Sequence, residues 1–204
     1  MGLTVASPGT PYPNVDSPPK GEQEGVGPFE PTGFGLGWPG RGASRSDPRG
    51  RMGLLIRKDD LSGPEIAALL GAHLDHATRH SPPESVHALD LERLRTPEIS
   101  FWSVWSGEAL VGCGALKELA PDHGEIKSMH TALEHRGKGV ATRLLAHLLE
   151  EARARSYRRV SLETGTMEGF ASARALYSRF GFKVCPPFAQ YREDPNSVCM
   201  TIDL

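Results

Sequence analysis

The sequence predicts a mixed α/β domain in which helices cover the faces of a mixed β-sheet. Runs of strand length and amphipathic helical patterns follow one another in the order β-α-α-β-β-β-α-β-α-β-β. This order is neither an unbroken βα alternation nor an all-β series, so a mixed sheet is the expected architecture. The patterns occupy residues 52–204, and 153 residues are enough to bury one hydrophobic core.

The domain is predicted to begin with a short strand and two helices. Leu54–Arg57 has the apolar character of a strand. Pro64–Thr78 places apolar residues at helical spacing, and its proline suits the first turn of a helix. The Pro82-Pro83 pair separates this helix from a second, shorter one predicted over Ser85–Leu94.

Three strands are predicted next, the first two as a hairpin. Ile99–Trp105 and Ala109–Leu116 are rich in β-forming residues and are joined by the turn sequence Ser106-Gly107-Glu108. Glu125–Thr131 is predicted as the third of these strands.

The second half contains the longest predicted helix. It runs from about Gly137 to Arg155 and carries one continuous apolar stripe. A shorter helix over Phe170–Phe180 is followed by Gly181, which suits the position after a helix end. The strands of this half are predicted at Arg159–Glu163, Phe182–Cys185 and Val198–Ile202, with an irregular connection over Pro186–Ser197.

Residues 1–51 differ sharply from the rest in composition. They hold 11 of the 23 glycines and 9 of the 17 prolines, and they lack a hydrophobic period. Such a segment cannot bury enough apolar surface to offset its chain entropy, so a disordered tail is predicted. A further hypothesis is that translation starts at Met52 and that the tail is an over-long gene prediction. The intact mass of the protein from its native source tests this.

Composition argues against several classes of partner. The net charge of −2 does not favour a nucleic-acid or membrane-surface partner, and no apolar run approaches the ~20 residues that span a bilayer. No secretory signal pattern opens the chain. Cys113, Cys185 and Cys199 form no close pair in the sequence, which favours a reduced, cytoplasmic setting. His73 and His76 lack a clear third ligand, and surface positions explain them better, so no metal is predicted.

The stretch Arg136-Gly137-Lys138-Gly139-Val140-Ala141 carries the most chemical information. Two glycines precede a helix start, where free N–H groups and the helix dipole favour an anion such as a diphosphate. The spacing does not match a P-loop, and Thr142 stands where the dinucleotide fingerprint requires its third glycine.

Arg136, Gly139 and Ala141 instead match the Arg/Gln-x-x-Gly-x-Gly/Ala loop, and the domain resembles the GNAT superfamily of N-acetyltransferases. The strand Glu125–Thr131 before the loop and the segment Ala175–Phe182 resemble that superfamily too, as does the element order. Segments 123–129 and 194–198 are similar to a bacterial subgroup of mostly unassigned acetyltransferases. The resemblance covers residues 52–204. It implies a twisted, mostly antiparallel sheet of six to seven strands with helices on both faces.

The resemblance also implies acetyl-CoA as the acyl donor, without a metal. The superfamily binds pantetheine along the strand that precedes the loop, where this strand splays from the next one. The resemblance implies that the backbone groups of Met129, His130 and Thr131 make these contacts. One position departs from the pattern, because Phe170 replaces an asparagine that many members use. The residues expected at the diphosphate are Arg136, Gly137, Lys138, Gly139, Val140, Ala141 and Thr142.

Two catalytic residues are expected from the same resemblance. Glu125 lies eleven residues before Arg136, as in members that use a strand glutamate as general base, and Glu163 is the substitute candidate. Tyr177, just before the Gly181-Phe182 pair, matches the acid that protonates the departing thiolate. Direct attack in a ternary complex is expected, because no cysteine has an adjacent base.

The acceptor is predicted to be a primary amine of a small molecule. The 12-residue connection Pro186–Ser197 is long enough to close one side of a peptide groove. A protein lysine or N-terminal acetyltransferase, and a regulatory acyl-CoA-binding module without catalysis, remain as alternatives. A homodimer is the candidate oligomeric state. The residues expected to contact the acceptor are Glu84, Ser85, His87 and Tyr191.

Overall fold

The computed structural model describes residues 53–204. The predicted tail at residues 1–51 and the proposed start at Met52 lie outside this range. Within it, no helix is both long enough and apolar enough to cross a membrane.

One sheet of seven strands forms the centre of the domain, in the spatial order β1-β2-β3-β4-β5-β7-β6. Only β4 and β5 are parallel, and the other neighbouring strands pair in the antiparallel sense. The predicted mixed and mostly antiparallel sheet is therefore confirmed. The strands are β1 Leu54–Lys58, β2 Ile99–Ser106, β3 Ala109–Ala120, β4 His123–Thr131, β5 Arg159–Gly165, β6 Lys183–Cys185 and β7 Ser197–Asp203.

Within residues 53–204, three α-helices cover the two faces of the sheet, and helices on both faces were predicted. They are α1 Pro64–His80, α2 Val140–Ala154 and α3 Ala171–Arg179. Helix α1 packs with Phe101, Cys113 and Ala115. Helix α2 packs against the opposite face through its predicted apolar stripe, all of which is buried: Val140, Leu144, Leu145, Leu148, Leu149 and Ala152.

The predicted helix over Ser85–Leu94 was wrong. Only short 3-10 turns form there, at Pro83–Ser85 and Arg93–Arg95. Leu89 and Leu91 both pack on the core cluster around α1. Residues two apart lie on the same side of an extended chain but on different sides of a helix, so burial of both favours the extended form.

Strands β4 and β5 pair over only part of their length. Their parallel ladder joins His123–Ile126 to Arg159–Leu162, and beyond it the two strands no longer pair with each other, although β4 stays paired with β3 and β5 with β7. Ser128 has φ +51° at an irregularity in the pairing of β4 with β3. The two strands therefore separate into an open cleft after Ile126 and Leu162, as the resemblance implied.

Two of the three cysteines are brought together by the sheet. Cys185 on β6 stands opposite Cys199 on β7 in the antiparallel register, and both are free thiols. The expectation of no close pair thus holds along the sequence but not in space.

Candidate active site

A cavity of about 630 Å³ lies at the separation of β4 and β5. Lys127–Thr131 of β4 and Glu163–Gly165 of β5 form its two strand walls. Helix α1, the segment 81–88, the loop before α2 and helix α3 complete the lining. Strand backbone that lacks a ladder partner at this point is free to hydrogen-bond a bound molecule.

The loop before α2 forms one end of the cavity and has the geometry of an anion site. Gly137 and Gly139 have φ +71° and +84°, a region that L side chains rarely adopt. Helix α2 begins directly after Gly139 and has no acidic residue in its first turn. No side chain caps this helix start, so its first N–H groups are available to a diphosphate.

Replacing Gly139 with alanine should weaken acetyl-CoA binding at least tenfold. A left-handed backbone costs an L residue about 1–2 kcal/mol, so the loop should relax and its N–H groups should lose their common direction. Calorimetric titration with acetyl-CoA measures the effect. The matched control is Gly71→Ala, because Gly71 lies within α1 and an added Cβ meets nothing within 4 Å. Equal affinity in both variants would contradict the role of the loop.

Most of the residues expected to bind the acyl donor line the cavity. These are Met129, His130, Thr131, Arg136, Gly137, Gly139, Val140, Ala141 and Thr142. Lys138 is exposed and is not part of the lining. Arg136 is exposed on the loop, and its Nε donates a 3.5 Å hydrogen bond to the Thr131 carbonyl.

The surface position expected for His73 and His76 was wrong, because both half-buried side chains line the cavity. The His73 ring lies 5.2 Å from that of His130. Burial, assisted by neighbouring positive groups, lowers the pKa of His73 to about 4 and that of His130 to about 3. Both imidazoles are therefore neutral at pH 7. Among residues 53–204 no group of three or more histidine, cysteine, aspartate or glutamate side chains could hold a metal ion.

Glu125 lies beneath the cavity rather than on its wall. It is 3% exposed. Its Oε1 accepts hydrogen bonds from Lys127 Nζ at 3.0 Å and from the Tyr191 hydroxyl at 2.6 Å. This carboxylate is thus already paired, and the cavity lining does not include it.

Glu163, the substitute candidate for the base, does line the cavity. It follows Leu162, the last residue of β5 in the ladder with β4. Burial raises the pKa of Glu163 to about 7, against a smaller opposing effect of the nearby Lys127 ammonium. A carboxylate with a pKa near neutrality can take up and release a proton at physiological pH.

Tyr177 lines the cavity from helix α3. Its ring packs against Phe182 with 5.7 Å between centroids, and the residue is 7% exposed. Burial raises the pKa of its hydroxyl, and the charge of Glu163 adds to the effect. The phenol is therefore fully protonated at neutral pH and is able to donate.

Comparison with known proteins assigns the family. The model of the acetyltransferase (GNAT) family matches residues 67–182. The chain is 59% identical over 146 residues to the uncharacterized N-acetyltransferase YsnE of Bacillus subtilis, covering 72% of this chain and 97% of YsnE. The chain belongs to the GNAT family. It is an acyl-CoA-dependent N-acetyltransferase.

Further relatives agree with this GNAT assignment. The uncharacterized N-acetyltransferase YedL of Escherichia coli is 49% identical over 149 residues, which cover 73% of this chain and 94% of YedL. An acyl-CoA N-acyltransferase structure from Klebsiella pneumoniae superposes with a TM-score of 0.60 and 30% identity, covering 74% of this chain and 97% of that one. A GNAT acetyltransferase from Elizabethkingia anophelis, solved with acetyl-CoA bound, shares the fold at a TM-score of 0.56 and 17% identity, over 74% and 98% of the two chains.

Of the four residues expected to contact the acceptor, two line the cavity. Ser85 and His87 line the cavity, whereas Glu84 is exposed and lies off it. Tyr191 is not part of the lining either. Its hydroxyl bonds Glu125, and its ring lies edge-on to that of His87, with 5.2 Å between the centroids.

Several lining residues of the acetyltransferase were not among the sequence candidates. Lys127 and Thr164 stand on the separated strands, and Phe170 lines the side next to α3. The Phe170 ring lies 5.3 Å from that of His76, which bridges α1 to this side of the cavity. The sequence could have indicated Lys127 as a cavity residue, because it lies between two predicted candidates, Glu125 and Met129.

Proposed function

We propose that the enzyme transfers the acetyl group of acetyl-CoA to a primary amine of a small molecule, by direct attack in a ternary complex. One observation carries the proposal. Glu163, which can accept a proton at pH 7, and Tyr177, which can donate one, line the same cavity beside the separated strands and the anion loop. Amide formation from a thioester needs these two proton transfers.

Glu163 is assigned the base. A lysine-like amine with a pKa near 10.4 is unprotonated in only about one molecule in 10³ at pH 7. The Glu163 carboxylate takes a proton from the bound ammonium group, which frees the nitrogen lone pair to attack the thioester carbonyl carbon. We prefer Glu163 to Glu125 because Glu125 is engaged by Lys127 and Tyr191 behind the cavity wall.

Backbone groups of β4 and the Tyr177 hydroxyl serve the later steps. Free N–H groups along the separated strand stabilise the negative charge that develops on the carbonyl oxygen. When the carbon–sulfur bond breaks, Tyr177 donates its proton to the departing sulfur, and CoA leaves as the thiol. The second proton of the nitrogen returns to Tyr177 through solvent. The net reaction releases one amide, one CoA and one proton.

A small acceptor is favoured by the connection between β6 and β7. Tyr191 in this connection donates to Glu125 on β4 at 2.6 Å. Thr166, directly after β5, donates through Oγ1 to the Pro195 carbonyl at 2.9 Å and through its backbone N–H to the Asn196 carbonyl at 3.0 Å. The connection is thus held to both β4 and the end of β5, which narrows the approach that an extended peptide would need.

The proposal is tested first by binding of acetyl-CoA and then by turnover of amines. Acetyl-CoA at 100 times its dissociation constant should stabilise the full chain by about 2.7 kcal/mol, and ATP and NAD at the same concentration should not. Release of CoA thiol is then followed with a panel of small amines and with lysine-containing peptides. Turnover with peptides alone would favour the protein acetyltransferase. Tight acetyl-CoA binding without thiol release from any amine would favour a regulatory module.

A further inference from the structure

Lys127 is held in an unusual position for a lysine. Its side chain is 10% exposed, and the residue lines the same cavity as Glu163. Nζ donates to Glu125 Oε1 at 3.0 Å and to the Tyr191 hydroxyl at 2.7 Å, and the Tyr191 ring centroid is 5.3 Å away. A flexible surface side chain is thereby fixed in one orientation.

The ammonium group retains one donor for a ligand. A lysine carries three N–H bonds, and within residues 53–204 two of them are used, by Glu125 and Tyr191. Both partners lie outside the cavity lining, whereas Lys127 is part of it. The third donor is therefore the one available to a molecule bound in the cavity.

Lys127 and Glu163 occupy equivalent positions on the two separated strands. Ile126 and Leu162 are the last register partners of β4 and β5, and Lys127 and Glu163 are the next residue on each strand. Side chains alternate between the faces of a sheet, so these two project to the same face. The opening of the cleft thus presents a positive group and a carboxylate next to each other.

We infer that Lys127 binds a carboxylate of the acceptor, so that the preferred substrates are amines that also carry a carboxylate group, as amino acids do. This inference rests on the proposed function, in which Glu163 receives the amine. Adjacent charges of opposite sign complement a zwitterion, because its ammonium meets Glu163 while its carboxylate meets Lys127. Glu125 and Tyr191 act as positioning residues that hold the ammonium in place.

Matched acceptors test the inference on the unmodified enzyme. An α-amino acid, its carboxamide and its decarboxylated amine are compared by kcat/KM, corrected for the fraction of each amine in the ammonium form that the enzyme binds. The amino acid should exceed both analogues by at least tenfold, mainly through a lower KM. Equal efficiency for all three would overturn the inference and leave the proposed function intact. Failure to acetylate any amine would overturn both.

Variants separate binding from a structural role. Lys127→Met combined with Glu125→Gln removes the buried pair together, because Glu125 left alone would be a buried unpaired charge. In this double variant the ratio of kcat/KM between amino acid and carboxamide should fall at least tenfold, toward one. Lys127→Arg should keep the preference, because it retains the cation. An equal loss for both acceptors in the double variant would overturn the inference. The control is Lys183→Met on β6, an exposed position, which should leave the ratio unchanged.

Discussion

Glu163→Gln should lower kcat/KM at pH 8 by at least 10²-fold for every amine that the enzyme accepts. The carboxylate removes a proton from the bound ammonium, and an amide of the same shape cannot accept it. Loss of general base catalysis ordinarily costs 10²–10⁴-fold. Steady-state release of CoA thiol measures the effect. Glu150→Gln, on the exposed side of α2, is the matched control.

The pH dependence of kcat/KM identifies which group acts as the general base. The pKa of Glu163 is raised to about 7, and only its ionised form acts as a base. Wild-type kcat/KM should therefore rise with pH up to about 7 and level off above it, for an amine whose own pKa lies near 10. The Glu163→Gln variant should lack this inflection. If Glu125→Gln abolished the inflection while Glu163→Gln preserved it, the base would be Glu125.

The stability of the Glu163→Gln variant tests the raised pKa of Glu163 independently of activity. Because the pKa of Glu163 is higher in the folded state than its ordinary 4.5, the folded protein holds this proton more tightly than the unfolded chain does. Wild-type stability should then fall as pH rises from about 4.5 to 7, a cost that glutamine avoids. Above pH 7 we expect the variant to be more stable by on the order of 2–3 kcal/mol. Urea unfolding at pH 5 and pH 8 measures the difference.

Tyr177→Phe should lower kcat by roughly 10²-fold or more while the protein still folds. The ring remains in place against Phe182, but no hydroxyl is left to protonate the departing sulfur. A single-turnover measurement with acetyl-CoA bound isolates the chemical step from product release. Affinity for acetyl-CoA should change little, because the anion loop is untouched.

Tyr157→Phe provides the matched control for Tyr177→Phe. Tyr157 is also buried, at 4% exposure, but its hydroxyl donates to Glu118 and it is not part of the cavity lining. Its variant should keep wild-type turnover after correction for any loss of folded protein. An unchanged single-turnover rate in Tyr177→Phe would remove this tyrosine from the mechanism.

Local patterns in the sequence predicted the framework well. The apolar stripe of α2 follows from helical spacing alone, and every residue predicted for it is buried. The hairpin turn at Ser106-Gly107-Glu108 joins β2 and β3 as expected, with Ser106 paired to Ala109. Where tertiary packing competes with local pattern, prediction was weaker. Residues 86–90 form no helix, and Leu89 and Leu91, two residues apart, both pack on the core around α1.

The sequence by itself determined the family fold and the anion loop, because both depend on spacing along the chain: apolar periodicity for the helices, and two left-handed glycines before a helix start. Only the tertiary structure distinguished the surroundings of the two candidate glutamates. Glu125 and Glu163 are the same residue type on neighbouring strands, and they differ in what surrounds them. Partners from 2 and 66 residues away occupy the first, whereas the cleft leaves the second on the cavity wall. A carboxylate's availability and pKa are set by such long-range contacts, which spacing along the chain does not record.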